Sequence, residues 1–292
     1  MITIERLGGL TTALGECPVW HGQRLWLMDC RRGLILGLDP GTGAVLARHE
    51  APAPTGSFAF DAGGGIVVAL REEIALLDPA TGRLRTLARI DASHPHLRLN
   101  DGTALPDGSF VAGTMHTFRA PGEAPLGGLY RLAPDLGLRR IADGIGTANG
   151  PCVDPATGRF HLADTVERTI HSYAMAADGA LSDRRLFVRT DALGSGPDGC
   201  CFDDAGGLWT ALVRAGAIAR FDPQGRLTHR IGLPLAHPAA LCFGGDGGAT
   251  LFVTSISDSG RLKADGPLDG AVLRIAGTGF RGPPRPLCRL AV

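Results

Sequence analysis

Four oxygen-bearing side chains recur at one position of a repeated sequence unit. They are Glu16, Asn100, Asn149 and Asp198. Each precedes an apolar run by 9 to 11 residues, with the runs beginning near Leu25, Phe110, Phe160 and Leu208 (25 − 16 = 9, 110 − 100 = 10, 160 − 149 = 11, 208 − 198 = 10). If the runs are equivalent strands of a repeat, the four side chains occupy equivalent places and converge in space.

The chemistry of such a set is that of a hard cation. Two carboxylates and one or two amide carbonyls suit Ca²⁺, Mg²⁺ or Mn²⁺, whereas zinc sites favour histidine and thiolate. Three protein ligands leave coordination positions open for water and substrate, as a catalytic metal site requires. Any single Asn or Asp before glycine is ordinarily a turn residue, but four in one register, one of them a glutamate, favour a metal site.

The elements that would position these residues are six apolar strands that follow Gly- or Asp-rich turns. Their marker residues are Leu25, Ile66, Phe110, Phe160, Leu208 and Leu251, at intervals of 41, 44, 50, 48 and 43. That period is typical of one four-stranded propeller blade. The sequence therefore predicts an all-β fold, a six-bladed β-propeller with four-stranded blades, built as a single domain over residues 1–292.

Ring closure and turn chemistry support this interpretation. A propeller leaves no long open sheet edge, so Ile2 to Leu7 is expected to pair with Val272 to Ile275 or with Leu287 to Leu290. Turns of the Asp-Pro-x-x-Gly type punctuate the strands, and no segment shows helical periodicity beyond a turn or two. The second and sixth repeats offer only Ser57 and Ala239–Ala240 at the position of the four polar residues.

Composition excludes several partner classes. Basic and acidic residues number 29 each, so nothing suggests a nucleic-acid partner or an anionic membrane surface. No apolar run reaches the roughly 20 residues of a membrane span, the N-terminus lacks the layout of a signal peptide, and the seven cysteines form no CxxC pair. We expect buried thiols, a cytoplasmic location and a monomer or weak homo-oligomer.

Five strings carry a resemblance to a known family. They are Leu14-Gly15-Glu16-Cys17-Pro18-Val19-Trp20, Arg98-Leu99-Asn100-Asp101-Gly102, Phe110-Val111-Ala112-Gly113-Thr114-Met115, Ala148-Asn149-Gly150-Pro151 and Pro197-Asp198-Gly199. In order and over nearly the whole chain, they resemble the gluconolactonase/regucalcin (senescence marker protein) family of six-bladed propellers. The resemblance implies a hydrolase that opens a sugar lactone, such as glucono-, xylono-, galactono- or arabinonolactone, to the aldonic acid.

The resemblance also assigns roles to residues. It implies one divalent cation (Ca, Mn, Zn or Mg) held by Glu16, Asn149 and Asp198, with Arg98 and Asn100 on the substrate. Asp198 is the expected catalytic residue, with one oxygen on the metal and the other accepting a proton from the attacking water. Asp101 is expected to orient a ligand or loop, with a plain turn residue as the alternative.

One departure concerns the substrate. Some relatives have a sugar-contacting acid just after the Ala-Gly-Thr-Met string, where this chain continues His116-Thr117-Phe118-Arg119. Phe118 in that region alters which hydroxyl is recognised, so the sugar stays open. Two other functions remain: an esterase or organophosphate hydrolase on the same propeller, and a non-catalytic calcium-binding regulatory protein. Arg98 disfavours the last, because a bare cation site has no use for an adjacent cation.

Overall fold

Twenty-four strands make up the computed structural model, which describes residues 1–91 and 94–292. In chain order they are β1 (Thr3–Arg6), β2 (Gly15–His21), β3 (Arg24–Asp29), β4 (Leu34–Leu38), β5 (Val45–Glu50), β6 (Ser57–Phe60), β7 (Ile66–Ala69), β8 (Glu73–Leu77), β9 (Leu84–Arg89), β10 (Leu97–Ala104), β11 (Phe110–His116), β12 (Gly127–Leu132), β13 (Leu138–Ile145), β14 (Ala148–Val153), β15 (Phe160–Asp164), β16 (Thr169–Met175), β17 (Leu181–Arg189), β18 (Pro197–Phe202), β19 (Leu208–Leu212), β20 (Ala217–Phe221), β21 (Leu227–Gly232), β22 (Pro238–Gly244), β23 (Thr250–Ser255) and β24 (Leu273–Ala276). Within these described ranges the helical segments are two 3₁₀ turns, Asp191–Leu193 and Asp246–Gly248.

The strands form six antiparallel sheets of four, which confirms the predicted six-bladed β-propeller. Blades 1 to 5 are β2–β5, β6–β9, β10–β13, β14–β17 and β18–β21, each in sequence order. Blade 6 has the order β1-β24-β23-β22, so the first strand of the chain completes the last blade. Thr3 pairs with Ala276 and Arg6 with Leu273, which confirms the first of the two expected closures.

The apolar marker strands are the second strand of each blade, not the innermost. Most of their residues are buried, because each strand lies inside its own sheet and between two neighbouring blades. For example, β7 and β11 share one core cluster through Val67 and Phe110. The innermost strands are β2, β6, β10, β14, β18 and β22, and they surround the central channel. The four candidate residues precede these second strands, as the sequence indicates, and they lie within the innermost strands.

The C-terminal segment closes one end of the channel. Cys288 donates its N–H to Phe60 O (2.8 Å), Arg289 donates to Gly108 O (2.8 Å), and Ala291 donates to Pro134 O (2.8 Å). Leu287 to Leu290 thus lies across blades 2 and 3 and takes no place in the closing sheet. No helix of the described residues is long and apolar enough to cross a membrane.

Candidate active site and metal centre

All five residues expected to hold the cation or the substrate line one cavity at the other end of the channel. The cavity comprises about 1080 Å³ of space, part of it open to solvent. The five are Glu16, Arg98, Asn100, Asn149 and Asp198. Asn149 and Asp198 are each only 6% exposed, so the ligand candidates form the floor of the cavity.

β-bulges aim the three ligand candidates. The pairing register of β2 slips between Glu16 and Val19, that of β14 between Asn149 and Cys152, and that of β18 between Pro197 and Cys200. A bulge breaks the alternation of side chains and redirects one of them, here towards the channel. Blade 2, whose β6 pairs without a slip, places none of its described residues in the cavity lining, and its Ser57 is fully buried.

The backbone after the ligand candidates adopts left-handed conformations. Cys17 has φ 47° and Gly150 has φ 53°, angles that favour glycine. A Cβ on Gly150 would also lie 2.7 Å from Cys200 Cβ in the next blade. The Asn-Gly pair therefore serves two needs, the bend of the strand and the close approach of β18.

A chain of hydrogen bonds orients the two amides. Asn100 donates from Nδ2 to Ala148 O (3.0 Å) and to Asn149 Oδ1 (2.7 Å). Asn149 in turn donates from Nδ2 to Thr165 Oγ1 (2.8 Å), which donates to Pro197 O (2.7 Å). Because its nitrogen is engaged, Asn149 presents its oxygen as the ligand atom, and Asn100 is left with its own Oδ1 as an acceptor. Thr165 is a supporting residue that the sequence analysis missed.

The carboxylates of the cavity floor are electrostatically strained. Burial raises the pKa of Glu16 well above its usual range, and the charges of Asp198 and Asp101 raise it further, while Arg98 opposes the shift. Burial, and then the charge of Asp101, likewise raises the pKa of Asp198. A cation between these oxygens would relieve their repulsion, and an all-oxygen donor set suits a hard divalent ion. The residues present therefore fit the metal that the resemblance implies.

Arg98 lines the cavity wall, and its charge acts on Glu16. Its Nη1 donates to Leu99 O (2.8 Å), which fixes one edge of the guanidinium. Burial lowers the pKa of Arg98, although the charges of Cys30 and Glu16 raise it. The remaining N–H groups are donors available to a bound oxygen-rich molecule.

Asp101 is not among the residues that line the cavity, and it lies instead beside Cys17, Gly102 and Cys200, towards the end of the channel that the C-terminal segment closes. Its carboxylate accepts hydrogen bonds from Gly150 N (2.7 Å), Cys17 Sγ (3.2 Å) and Gly102 N (2.8 Å). Burial raises the pKa of Asp101, and these hydrogen bonds lower it. Gly150 follows Asn149 and Cys17 follows Glu16, so Asp101 fixes the residue after each of two ligand candidates from two other blades, through the backbone of Gly150 and the side chain of Cys17.

Phe118 contributes nothing to the cavity wall. Its side chain is exposed and meets the His96 ring edge-on at 5.5 Å. The loop that bears it is instead tied to the cavity rim by Arg261, which donates from Nη2 to His116 O (3.0 Å) and to Thr117 O. In this chain an arginine from blade 6 thus contacts the loop in which some relatives have a sugar-contacting acid.

A second cluster of metal-ligand residue types was not predicted. His94, His116 and Glu123 have ligand atoms within 4.8 Å of one another, and His94 Nε2 lies 3.3 Å from Glu123 Oε1. However, His116 Nε2 accepts Leu126 N–H (2.9 Å) and His94 Nδ1 accepts His96 N–H (3.2 Å). The lone pairs so engaged favour a hydrogen-bonded contact between two loops over a metal site. No sequence pattern could have found it, because His116 ends β11 while His94 and Glu123 belong to two different connections between strands.

Residues 14–257 match the SMP-30/Gluconolactonase/LRE-like region family. The chain belongs to this family. It is 36% identical over 268 residues to the 6-deoxy-6-sulfogluconolactonase of Pseudomonas putida, covering 89% of this chain and 90% of that one. It is 31% identical over 285 residues to the pentonolactonase of Haloferax volcanii, covering 96% and 94%.

The fold is shared with a solved structure. The calcium-binding protein regucalcin from Agrobacterium tumefaciens superimposes with a TM-score of 0.86 over 98% of this chain and 97% of that one, at 24% identity. Family membership confirms both the resemblance and the prediction that the chain is an enzyme, a hydrolase of carboxylic esters.

Proposed function

We propose that this protein opens a sugar lactone to its aldonic acid with the help of one divalent cation. The observation that carries the proposal is the joint placement of Glu16, Asn149 and Asp198 with Arg98 and Asn100 in one cavity. The relatives named above open a sulfonated gluconolactone and a pentonolactone, which supports a sugar lactone as the small-molecule substrate.

Glu16, Asn149 and Asp198 would hold the cation through their oxygens. When bound there, a divalent cation polarises a carbonyl and lowers the pKa of water. Arg98 donates hydrogen bonds to ring or hydroxyl oxygens of the lactone, and Asn100 Oδ1 accepts one from a hydroxyl. Both residues orient the ester towards Asp198, which is the gain that positioning brings to a hydrolase.

Asp198 accepts the proton of the attacking water. An ordinary aspartate, with a pKa of about 3.9, is a weak base at neutral pH. Burial and Asp101 raise the pKa of Asp198 in the metal-free protein, whereas a bound cation would lower it. The same cation would also acidify the water, which offsets the weaker base. The water oxygen bonds to the carbonyl carbon, the bond from that carbon to the ring oxygen breaks as the ring oxygen takes the proton from Asp198, and the aldonic acid leaves.

We propose one domain over residues 1–292, a monomer or weak homo-oligomer, and a cytoplasmic location. All seven cysteines are free and buried, which supports a reducing compartment. The physiological cation, among Ca, Mn, Zn and Mg, is part of the same proposal and is ranked by the experiment below.

The test is acid release from a panel of aldonolactones by metal-stripped protein, with each cation restored in turn. We expect turnover to return with at least one cation and to be absent in Asp198→Ala. Cation binding without hydrolysis of any lactone would overturn the proposal in favour of a non-catalytic calcium-binding protein. Preference for aryl or phosphotriesters over every lactone would favour the esterase.

A further inference from the structure

An arginine occupies the turn between the second and third strand of every blade, at the end of the propeller where the cavity opens. The six are Arg31, Arg71, Arg119, Arg168, Arg214 and Arg261. Because these turns are equivalent in a propeller, the six arginines all lie at the end of the propeller where the cavity opens, and three of them, Arg168, Arg214 and Arg261, line the cavity.

Three of the six have partners within the protein. Arg71 Nε lies 3.5 Å from Glu72 Oε1, and Arg119 Nη2 lies 3.6 Å from Glu167 Oε1. Arg261 donates to the carbonyls of its neighbouring loop, as described above. Their roles are accounted for by local structure.

Arg168 and Arg214 differ from these three and from Arg31, which lies outside the cavity lining. Both side chains line the cavity that contains Asn149 and Asp198, and both residues are exposed. Neither guanidinium has a hydrogen bond or an ion pair with any residue in 1–91 or 94–292. They belong to blades 4 and 5, the adjacent blades that supply Asn149 and Asp198.

The backbone holds both arginines in place. Arg214 N donates to Ser195 Oγ (2.9 Å), and Arg168 O accepts from Thr190 N (2.9 Å). The two turns are therefore anchored, while the side chains stay available to a ligand. Because the turn is already anchored, less backbone conformational entropy is lost when its arginine binds a ligand.

The charge of the cavity is positive. Among the described residues that line it, there are four arginines, Arg98, Arg168, Arg214 and Arg261, and two carboxylates, Glu16 and Asp198. Even with both acids ionised, the arginines exceed them by two (4 − 2 = 2). The acids lie in the floor and the unpartnered arginines at the rim, so the positive potential is concentrated away from the reacting ester.

We propose that Arg168 and Arg214 bind an anionic group of the substrate, so that the natural lactone carries a sulfonate, phosphate or carboxylate at the end remote from its ester carbonyl. This inference rests on the proposed lactonase function and narrows its substrate class. Guanidinium groups pair with such oxyanions through two parallel hydrogen bonds. Two of them at one rim suit a group with several anionic oxygens.

The test compares glucono-1,5-lactone with its 6-phosphate, its 6-deoxy-6-sulfo analogue and the 6-carboxylate lactone, at constant ionic strength. For the wild-type protein we expect kcat/KM to be at least about tenfold higher for one or more of the anionic lactones than for the neutral one. Arg168→Gln and Arg214→Gln should each remove most of that preference through KM. Both variants should keep kcat/KM for the neutral lactone within about twofold.

Arg71→Gln is the matched control, because it removes the same charge from the equivalent turn of blade 2, outside the cavity lining. An equal loss of the preference for anionic lactones in Arg71→Gln would show that the preference comes from the long-range electrostatic field of the protein. That result would overturn the inference. Equal kcat/KM for neutral and anionic lactones in the wild type would overturn it as well, and would leave the lactonase function standing. Failure to hydrolyse any lactone would overturn both.

Discussion

Two aspartates at the two ends of strand β18 differ in the hydrogen bonds that their carboxylates accept. Asp198 begins the strand in the cavity floor, and its carboxylate accepts no hydrogen bond from the described residues. Asp203 follows the strand at the other end and is fully buried. Its two oxygens accept from Arg220 Nε (2.6 Å), Trp209 Nε1 (2.8 Å) and the N–H groups of Ala205 and Gly207.

Within this one strand, we expect Asp198 to serve function and Asp203 to stabilise the fold. A buried ion pair with complete hydrogen bonds is costly to disrupt, because removing one ion leaves its partner without a counter-charge. Buried carboxylates without partners destabilise the fold that carries them, and such sites are retained where a ligand completes them. The two aspartates should therefore respond in opposite ways to the same replacement by asparagine.

Asp198→Asn should have the largest effect, on catalysis. The change keeps the shape of the side chain and removes the anionic ligand and the proton acceptor. We expect kcat/KM for the best lactone to fall at least about a thousandfold, or about 4 kcal/mol of transition-state stabilisation. The free energy of unfolding of the metal-free protein should not fall. Activity within tenfold of wild type would refute the role of Asp198.

Asp203→Asn should affect stability instead. It leaves Arg220, which is itself buried, without its counter-charge. We expect the free energy of unfolding to fall by about 3–5 kcal/mol, measured by denaturant titration. The folded fraction should retain kcat/KM within about twofold. Equal destabilisation by Asp198→Asn would remove the distinction between the two ends.

Asp101→Asn should have an intermediate effect, because Asp101 acts through the backbone beside Glu16 and Asn149. The amide keeps one acceptor and loses the other, so a hydrogen bond from Cys17, Gly102 or Gly150 is lost. We expect the affinity for the activating cation to fall about 10- to 100-fold. Saturating cation should restore most of kcat, which a general folding defect would not permit. Unchanged cation affinity would count against the positioning role.

The smallest effect concerns pH and the metal-free protein. The pKa values of Glu16 and Asp198 are raised on folding, so the folded state binds these protons more tightly than the unfolded chain does. The resulting stability is present below the ordinary carboxyl pKa of about 4 and is lost as pH rises through the raised values.

Metal-stripped Asp198→Asn should therefore be more stable than the wild type at pH 8 by about 1–2 kcal/mol. The difference should shrink towards pH 4, as followed by thermal unfolding across pH. Asp203→Asn should show no such gain at any pH. A wild type that is more stable than Asp198→Asn at pH 8 without metal would reverse the assigned sign.

The contrast within β18 also explains how much the sequence could predict. The period of the apolar runs predicts the six blades, and the constant offset of Glu16, Asn149 and Asp198 predicts their meeting in one cavity. The offset does not reveal that these residues sit at bulges inside the innermost strands. A bulge is a property of the pairing between two strands, and only the Gly150 and Gly199 positions hint at it.

The arginines at the rim of the cavity could not be predicted from the sequence for a different reason. The arginine turns vary in length, from residues 70–72 in blade 2 to residues 256–272 in blade 6, so no fixed offset marks them. Lys263 is the only lysine among 29 basic residues, and in so arginine-rich a chain a single arginine carries little information. The contact of His94, His116 and Glu123 likewise depends on the relative placement of separate loops.

The most direct test of the central claim is calorimetric titration of Ca²⁺, Mn²⁺, Zn²⁺ and Mg²⁺ into metal-stripped wild type, Asp198→Asn, Asp203→Asn and His116→Ala. We predict one ion per chain for at least one cation, with proton release on binding, loss of binding in Asp198→Asn, and wild-type affinity in the other two variants. Binding that survives in Asp198→Asn and disappears in His116→Ala would place the ion in the second cluster and contradict the account.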